Sequence, residues 1–180
     1  MPKDTILHML TTAPNLSPFD VNMAIDAGWQ HCIGYTGIGV GDVAALTQDA
    51  IFSRGPKGVK RTGLFIGGRD IHQAEAMLAA ARAAMVPPFE VAVFADPSGA
   101  FTTAAGMVAT AEQALQSAPG TATDAGNGLA GLTALVFGGT GPVGATCAML
   151  AALAGARAVI VSHDGLTRAR EAATACQTHH

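Results

Sequence analysis

The sequence contains few charged residues and no excess of basic ones. Charged residues make up 13% of its 180 residues, and the formal net charge is −3 at pH 7. Domains that bind nucleic acid usually concentrate lysine and arginine on one surface, and a helix that lies on a membrane surface needs a basic amphipathic segment. The sequence therefore predicts neither a nucleic-acid partner nor a membrane partner.

Cysteine is also sparse. The three cysteines, Cys32, Cys147 and Cys176, are far apart, and none belongs to a CxxC pair or to the cysteine and histidine spacing of a zinc site. Neither a disulfide framework nor a bound metal is therefore predicted. This usage of cysteine is typical of a reducing compartment, so we expect a cytoplasmic protein.

One long uncharged stretch, residues 125–156, has the hydropathy of a membrane span. Its centre, however, contains Gly138, Gly139, Gly141, Pro142 and Gly144. A spanning helix of about 20 apolar residues does not carry glycine and proline at this density in its middle. The stretch instead predicts a buried strand, a glycine turn and a buried helix. The first residues of the chain do not predict a signal peptide.

Short apolar runs alternate with segments of helical periodicity along the chain. Strands are predicted at 5–10, 30–35, 62–66, 91–95, 133–137 and 158–162, and helices at 18–27, 42–52, 71–85, 102–116, 142–154 and 166–176. Six β–α repeats predict an α/β fold with a mostly parallel sheet that helices cover on both faces. The predicted helix caps are Ser17, Asp42, Asp70 and Thr102.

One segment has the composition of a linker. Residues 117–128 are small, polar and rich in turn formers. We therefore predict an N-terminal α/β domain at 1–116, a linker at 117–131 and a second domain at 132–180. Four β–α units precede the linker, and two follow it.

The most specific motif begins the second domain. It satisfies the GxGxxG pattern and consists of Gly139, Thr140, Gly141, Pro142, Val143 and Gly144. A predicted strand precedes it and a predicted helix follows it, which is the context of a Rossmann dinucleotide-binding turn. The glycines allow a sharp exit from the strand, a close approach of the pyrophosphate to the backbone, and tight packing of the helix on the strand. The helix N-terminus supplies free amides.

The end of the following strand predicts the choice between NAD and NADP. Asp164 is suitably placed to accept hydrogen bonds from a ribose 2′-hydroxyl, which favours NAD. Ser162, His163 and Arg168 are instead suited to a 2′-phosphate, which favours NADP. Asp164 also has a simpler interpretation as a helix cap, and the sequence leaves these alternatives open.

Polar residues also follow the fourth predicted strand. In an open parallel sheet, ligands bind at the loops after the carboxyl ends of the strands. Asp96, Ser98, Thr102 and Thr103 cluster there, and helix capping explains Thr102 alone. We therefore predict that this set contacts a substrate, with a cofactor contact as the alternative.

Several long segments resemble the bacterial NAD(P)-dependent methylene-tetrahydromethanopterin dehydrogenases. They occur in family order and lie at 6–10, 17–28, 48–54, 61–68, 86–89 and 94–103. The glycine motif falls where the family places it, and the resemblance extends over residues 5–175. It implies a parallel-sheet, pterin-binding N-terminal domain followed by the first part of a Rossmann domain.

The resemblance also implies an activity. It is the oxidation of methylene-tetrahydromethanopterin to the methenyl form, with hydride transfer to NAD or NADP. The relatives act in formaldehyde oxidation by one-carbon-oxidising, methylotrophic bacteria and form homo-oligomers. In this context Asp20 is a candidate to bind the aminopyrimidine edge of the pterin, with helix capping as the alternative.

The sequence leaves two other functions open. Methylene-tetrahydrofolate dehydrogenase is the close enzymatic alternative, because the two substrates share the reacting centre. The chain also ends after the second strand and helix of the nucleotide domain, whereas the family continues. It is therefore expected to be truncated, and a pterin-binding or oligomerising module without activity is the non-enzymatic alternative. No catalytic residue is assigned, since hydride transfer at such a centre depends mainly on positioning.

Overall fold

Four parallel strands organise the first part of the chain. The computed structural model describes residues 3–117 and 128–178. Strands β1 (Ile6–Thr11), β2 (His31–Thr36), β3 (Thr62–Ile66) and β4 (Ala92–Ala95) form one sheet in the order β2-β1-β3-β4. The central strands β1 and β3 are apolar along most of their length because both of their faces are covered. The predicted α/β class with a parallel-sheet N-terminal domain is confirmed.

Helices cover both faces of this sheet. They are α1 (Pro18–Asp26), α2 (Val40–Phe52), α3 (Gly55–Val59) and α4 (Ile71–Ala83). Ala24 of α1 packs in one cluster with Met9 of β1. The next strand residue, Leu10, points to the opposite face, where it lines a small cavity with Leu46 of α2. Short β–α connections thus bring the start of α1 close to the carboxyl end of β1.

Two of the four predicted helix caps are observed in the structure. Ser17 is the N-cap of α1, and Asp70 is the N-cap of α4. Asp42 is not a cap: Gly39 is the N-cap of α2, and the Asp42 carboxylate accepts a hydrogen bond from the Gly39 amide at 2.9 Å. Thr102 is not a cap either, because the helix begins at Ala100. In both cases the helix extends further towards its N-terminus than the capping pattern suggested.

Asp70→Ala is expected to destabilise the first part of the chain by about 1 kcal/mol. The Asp70 carboxylate accepts hydrogen bonds from the amides of His72 and Gln73, each at 3.0 Å, and alanine leaves both donors without this partner. Urea denaturation followed by the fluorescence of Trp29, the single tryptophan, measures the change. An Asp70→Asn variant, which keeps a capping oxygen, is expected to lie within about 0.3 kcal/mol of the wild type.

A second sheet follows. Strands β5 (Thr133–Phe137) and β6 (Arg157–Val161) pair in parallel, and the helices are α5 (Ala100–Ser117), α6 (Pro142–Leu153) and α7 (Leu166–Thr178). Its core contains Leu129, Ala151 and Ala156. Across the described ranges 3–117 and 128–178, no helix combines the length and the apolar character needed to cross a bilayer.

The chain separates into two units, Met1–Ser98 and Gly99–His180. The division therefore precedes α5, whereas the sequence predicted a boundary after it. The physical reason is that α5 packs against α6: the Cys147 sulfur of α6 lies 3.9 Å from the Ala104 carbonyl oxygen of α5. Of the predicted linker, residues 118–127 lie outside the described residues. Leu129 is buried in the second unit.

Candidate functional site

A cavity of about 700 Å³ opens at the carboxyl end of the first sheet. Its wall comes from three places: the end of β1 and the loop to α1, the loop after β3, and the turn after β4. The lining residues are Thr11, Ala13, Pro14, Asn15, Leu16, Ser17, Pro18, Phe19, Asp20, Gly68, Arg69 and Ser98. Its volume lies within the range of roughly 300–1,000 Å³ that is common for small-molecule sites.

The strand order explains why the cavity lies there. From β1 the chain moves outward to β2 and then returns past β1 to β3, so the connections leave β1 and β3 in opposite directions. In an open parallel sheet such a reversal leaves a crevice at the carboxyl ends of the two strands, and ligands bind in it. Thr11 ends β1, and Gly68 follows β3; both line the cavity. The topology therefore creates this site.

Asp20 is an acidic group in the cavity wall. It is partly buried in the first turn of α1, where its amide donates to the Ser17 hydroxyl at 3.4 Å. Burial raises the pKa of the Asp20 carboxyl, and the nearby Asp96 carboxylate raises it further. Both burial and repulsion from Asp96 disfavour the ionised form of this carboxyl. A ligand that donates hydrogen bonds to this carboxylate would stabilise its ionised form.

Two glycines after β3 bring the backbone close to this carboxylate. A Cβ at Gly67 would lie 3.1 Å from an Asp20 carboxylate oxygen and 3.1 Å from the Phe65 ring. Gly68 has a φ of +116°, which a residue with a side chain adopts only under strain. The backbone at Gly67 therefore lies directly beside the Asp20 carboxylate, and Gly68 lines the cavity. Neither glycine was predicted as a site residue, although their place directly after a strand was a usable signal.

The turn after β4 completes the cavity. Asp96 is almost fully buried, and its amide donates to the Ile66 carbonyl oxygen at 3.1 Å. The Ser98 hydroxyl donates to the Gly68 carbonyl oxygen at 2.9 Å, and Ser98 itself has a φ of +55°. Backbone conformations of this kind are concentrated at functional sites. The structure thus brings together three of the five predicted substrate residues, Asp20, Asp96 and Ser98.

The other two predicted substrate residues belong to another part of the molecule. Thr102 and Thr103 are exposed on the first turn of α5, which groups with the second unit. They contribute no side chain to the cavity wall of the first unit.

The glycine motif forms the turn between β5 and α6. Gly141 is the N-cap of α6, and Pro142 is its first residue, as the sequence predicted. The Gly138 and Gly139 amides both donate to the Val161 carbonyl oxygen at the end of β6, at 3.0 and 3.3 Å. The turn therefore lies beside the carboxyl ends of both strands.

Each glycine of this turn is required for a different reason. A Cβ at Gly144 would lie 2.3 Å from the Gly138 carbonyl oxygen, so the helix packs directly on the turn. A Cβ at Gly139 would lie 2.8 Å from the Ile160 side chain. A Cβ at Gly141 would meet nothing closer than 3.5 Å, which leaves the N-terminus of α6 open to an incoming group. The positive φ, +71°, belongs to Gly138, so the sharp exit from the strand lies one residue before the GxGxxG motif, whose glycines were predicted to provide it.

The predicted cofactor residues at the end of β6 lie beside this turn. The Ser162 and Thr140 hydroxyls are 3.4 Å apart, and the Ser162 hydroxyl accepts a hydrogen bond from the Asp164 amide at 3.1 Å. Asp164 contacts His163 at 3.1 Å and Arg168 at 3.5 Å. The sequence therefore identified a set of residues that are neighbours in space.

The second unit fits a dinucleotide. Because Gly141 has no side chain, a diphosphate can approach the backbone amides at the N-terminus of α6. The polar residues at the end of β6 suit a ribose. Among residues 3–117 and 128–178, no group of three histidine, cysteine, aspartate or glutamate side chains is arranged to hold a metal ion.

A known family model matches most of the first unit. Residues 18–98 match the family model described as "Methylene-tetrahydromethanopterin dehydrogenase, N-terminal". This range contains α1, the loop after β3 and the turn after β4, and therefore half of the residues that line the cavity.

Two curated relatives come from Methylorubrum extorquens. The NAD(P)-dependent methylenetetrahydromethanopterin dehydrogenase is 50% identical over 91% of this chain and 53% of its own length. The bifunctional protein MdtA is 34% identical over 75% of this chain and 43% of its own length. The chain thus spans about half the length of the curated relatives it matches. The resemblance predicted from the sequence is confirmed: over nine-tenths of its length the chain is similar to an NAD(P)-dependent methylenetetrahydromethanopterin dehydrogenase, and residues 18–98 match the model of the N-terminal domain of such dehydrogenases.

Proposed function

We propose that this chain provides the pterin site and the first part of the Rossmann NAD(P) site of a methylene-tetrahydromethanopterin dehydrogenase. The observation that carries the proposal is the cavity at the reversal of the first sheet, with Asp20 in its wall. The similarity to the dehydrogenase of Methylorubrum extorquens supports the substrate.

Asp20 binds the aminopyrimidine edge of the pterin. This edge presents two adjacent N–H donors, which match the two oxygens of one carboxylate. Asp20 is partly desolvated and is repelled by Asp96, so its charge is poorly compensated until a donor arrives. Gly68, which lines the cavity without a side chain, leaves room for a flat ring, and Gly67 leaves room for the Asp20 carboxylate. Arg69 lies at the rim, where it suits an acidic group on the tail of the substrate.

The reaction needs positioning more than acid–base chemistry. The methylene carbon lies between two nitrogens, and their lone pairs stabilise the cation that forms when the carbon loses a hydride. The bound nicotinamide supplies the hydride acceptor, and no proton is exchanged in this step. The carboxylates of Asp20 and Asp96 favour the cationic product electrostatically. The contribution of the chain is therefore to orient the substrate and to stabilise positive charge.

The turn between β5 and α6 holds the nucleotide. The amides at the N-terminus of α6, from Gly141 onward, receive the diphosphate, and Pro142 removes no donor that the helix needs. Thr140 and Ser162 present hydroxyl groups beside this turn.

The resemblance supports three wider proposals. The protein acts in formaldehyde oxidation in a methylotrophic one-carbon metabolism, it forms homo-oligomers, and it is cytoplasmic. The free thiols of Cys32, Cys147 and Cys176 agree with a reducing compartment.

A spectrophotometric assay tests the proposed activity. The chain is mixed with methylene-tetrahydromethanopterin or methylene-tetrahydrofolate and with NAD or NADP, and the absorbance of the reduced nucleotide is followed. The expected result is reduction with the methanopterin substrate. Reduction with the folate alone would indicate the alternative dehydrogenase. Binding of pterin in calorimetry without any reduction would indicate a non-catalytic pterin-binding module.

Gly67→Ala is expected to weaken binding of methylene-tetrahydromethanopterin about threefold to tenfold while the fold is retained. Its Cβ would meet the Asp20 carboxylate at 3.1 Å, so the carboxylate must move by a few tenths of an ångström and its charged hydrogen bonds weaken. Calorimetry measures the affinity. Gly41→Ala is the matched control, because a Cβ there meets no atom within 4 Å. Unchanged affinity in Gly67→Ala would contradict the assigned position of the pterin edge.

A further inference from the structure

Half of the basic residues of the chain lie close together in the first unit. The chain has ten lysines and arginines, and five of them form what we call the basic patch: Lys3, Arg54, Lys57, Lys60 and Arg61. The Arg54 guanidinium donates hydrogen bonds to the Asp4 carbonyl oxygen at 2.8 Å, just before β1, and to the Arg61 carbonyl oxygen at 3.3 Å, just before β3. The basic patch therefore lies at the amino ends of these strands, whereas the cavity lies at their carboxyl ends.

Main-chain contacts hold three of these cations in place. The Lys3 ammonium group donates to the Arg54 carbonyl oxygen at 2.8 Å, and Arg61 Nε donates to the Lys3 carbonyl oxygen. A Cβ at Gly58 would lie 2.6 Å from the Arg54 Cβ and 3.2 Å from the Lys3 side chain, so α3 packs directly against both residues. The arrangement of the basic patch is therefore part of the fold.

These contacts leave the positive charge uncompensated. A carbonyl oxygen satisfies an N–H donor but carries no net charge. Within residues 3–117 and 128–178, no carboxylate lies within 4 Å of a cation of the basic patch. Burial lowers the pKa of His8, and the positive charge of Arg54 lowers it further. Lys57 and Lys60 are both exposed, so an acidic group from outside the chain can reach them.

Two exposed phenylalanines adjoin the basic patch. Phe52 is 59% exposed and Phe89 is 39% exposed, and their ring centres are 6.5 Å apart. Phe52 ends α2 and precedes Arg54 by two residues, a distance of at most about 7 Å along the chain. Apolar side chains that are exposed together mark an interaction surface, and an apolar centre with a polar rim is the usual anatomy of a protein interface.

These features favour an acidic protein segment over a nucleic acid. The rings of Phe52 and Phe89 are inclined at 53°, so they do not offer the parallel faces on which successive bases stack. The chain as a whole has a formal charge of −3, which repels a long polyanion beyond the basic patch. A short segment with a few carboxylates and one apolar side chain needs only the patch and the two rings.

We propose that the basic patch and the Phe52–Phe89 pair form a docking site for an acidic segment of another protein. The two rings receive an apolar side chain of that segment, and Lys57 and Lys60 pair with carboxylates beside it. Because the docking site lies at the end of the sheet opposite the cavity, the partner binds without covering the proposed pterin site.

Fluorescence anisotropy of a labelled peptide tests the charged part of the docking site. The probe is a glutamate-rich peptide with one central leucine, titrated with the full chain at about 0.1 M salt, where charges more than about 10 Å apart are largely screened. The wild type is expected to bind it, and Lys57→Glu/Lys60→Glu is expected to bind at least about tenfold more weakly, because two attractions become repulsions. Arg54 and Arg61 are left unchanged, since they hold the start of the chain.

Arg157→Glu/Arg170→Glu is the matched control. It changes the net charge by the same amount, and both arginines are exposed in the second unit. Its affinity for the peptide is expected to stay within about twofold of the wild type, because distant charges are screened.

Phe52→Ala tests the apolar part. This variant is expected to bind the leucine peptide about threefold to tenfold more weakly, because the leucine loses part of the apolar surface that covers it. A second peptide, with serine in place of leucine, should bind the variant and the wild type equally. An equal loss with both peptides would mean that the rings do not receive the apolar side chain.

Other results would overturn the docking site as a whole. They are the absence of peptide binding by the wild type, an equal loss in the two double variants, and tighter binding of a single-stranded DNA of the same charge. Analytical ultracentrifugation covers one more case: if Lys57→Glu/Lys60→Glu loses self-association, the surface joins copies of this chain and not a different protein. A circular dichroism spectrum that matches the wild type shows that each variant is folded.

Discussion

Gly144→Ala is expected to abolish dinucleotide binding and to destabilise the second unit by about 3 kcal/mol. The added Cβ would lie 2.3 Å from the Gly138 carbonyl oxygen and 2.8 Å from the Gly139 Cα. Both neighbours are backbone atoms of the turn, so no side chain can rotate away to relieve the contact. The helix must move away from the turn, and the amides at its N-terminus then lose their position around the diphosphate. NADH affinity should fall at least about a hundredfold, or about 2.8 kcal/mol.

Thermal unfolding and amide hydrogen exchange measure the structural effect. Exchange should accelerate in β5, α6 and β6, since the contact that holds these elements together is strained. A fluorescence titration with NADH measures the loss of binding. Wild-type affinity and stability in Gly144→Ala would refute the close approach of α6 to the turn.

Gly106→Ala provides the matched control in the same unit. Gly106 lies inside α5, and a Cβ there meets no atom within 4 Å. Because alanine favours the helical backbone by about 0.8–1.0 kcal/mol over glycine, this variant should be more stable than the wild type and should bind NADH unchanged. The same chemical substitution is therefore expected to have opposite signs at the two positions. A loss of stability at both positions would refute the close contact at Gly144 as the cause of the effect.

Asp20→Asn is expected to reduce the affinity for methylene-tetrahydromethanopterin between about tenfold and a hundredfold, because charge-assisted hydrogen bonds contribute about 1.5–3 kcal/mol. Asparagine is nearly the same size, but it has one acceptor oxygen, one amide group and no charge. It cannot receive both donors of the aminopyrimidine edge. Calorimetry measures the affinity, and Asp26→Asn at the end of the same helix is the control, since Asp26 is not part of the cavity wall.

The same substitution should make the free protein slightly more stable at neutral pH. Burial and the Asp96 carboxylate raise the pKa of Asp20 in the folded state, so the ionised group costs stability once the pH lies above that value. Asparagine removes this cost. The gain is expected to be about 0.5 kcal/mol, because Asp20 is partly exposed and water screens its repulsion from Asp96.

The dependence on pH identifies the cause. As the pH falls through the raised pKa of Asp20 towards its ordinary value of 3.8, the folded wild type takes up a proton before the unfolded chain does and recovers stability. The stability difference between Asp20→Asn and the wild type should therefore be largest at neutral pH and should shrink on acidification. Urea denaturation followed by Trp29 fluorescence measures it. A variant less stable than the wild type at neutral pH would mean that the helix dipole dominates at Asp20.

Local patterns were sufficient for much of the fold. The strand at 62–66 and the strand at 133–137 were predicted at their observed bounds, since each is a short apolar run between turn formers. Ser17 and Asp70 cap helices because their side chains reach amides only two or three residues further along the chain. Hydrogen bonds between residues so close in the chain can be predicted from the local sequence alone.

The predicted start of α2 was wrong because another residue takes the N-cap position. Gly39, which has no side chain, is the N-cap of α2. The Asp42 carboxylate, three residues later, accepts a hydrogen bond from the Gly39 amide. The local sequence is compatible with either Asp42 or Gly39 as the N-cap. The domain boundary differs for a related reason, since the turn formers after residue 117 do not reveal that α5 packs against α6 rather than with the helices before it.

By itself the sequence determined the parallel α/β class, the glycine turn at 139–144 and the resemblance to the dehydrogenases, because repeats, glycine spacing and long similar segments are all properties of neighbouring residues. Only the tertiary structure decided which groups meet around Asp20. Asp20 comes from the first helix, Gly67 from the loop after β3 and Asp96 from the turn after β4. Their proximity follows from the strand order β2-β1-β3-β4, which no local pattern encodes. The raised pKa of Asp20 is likewise a product of burial and of a charge that is distant in the sequence, and both arise only when the chain folds.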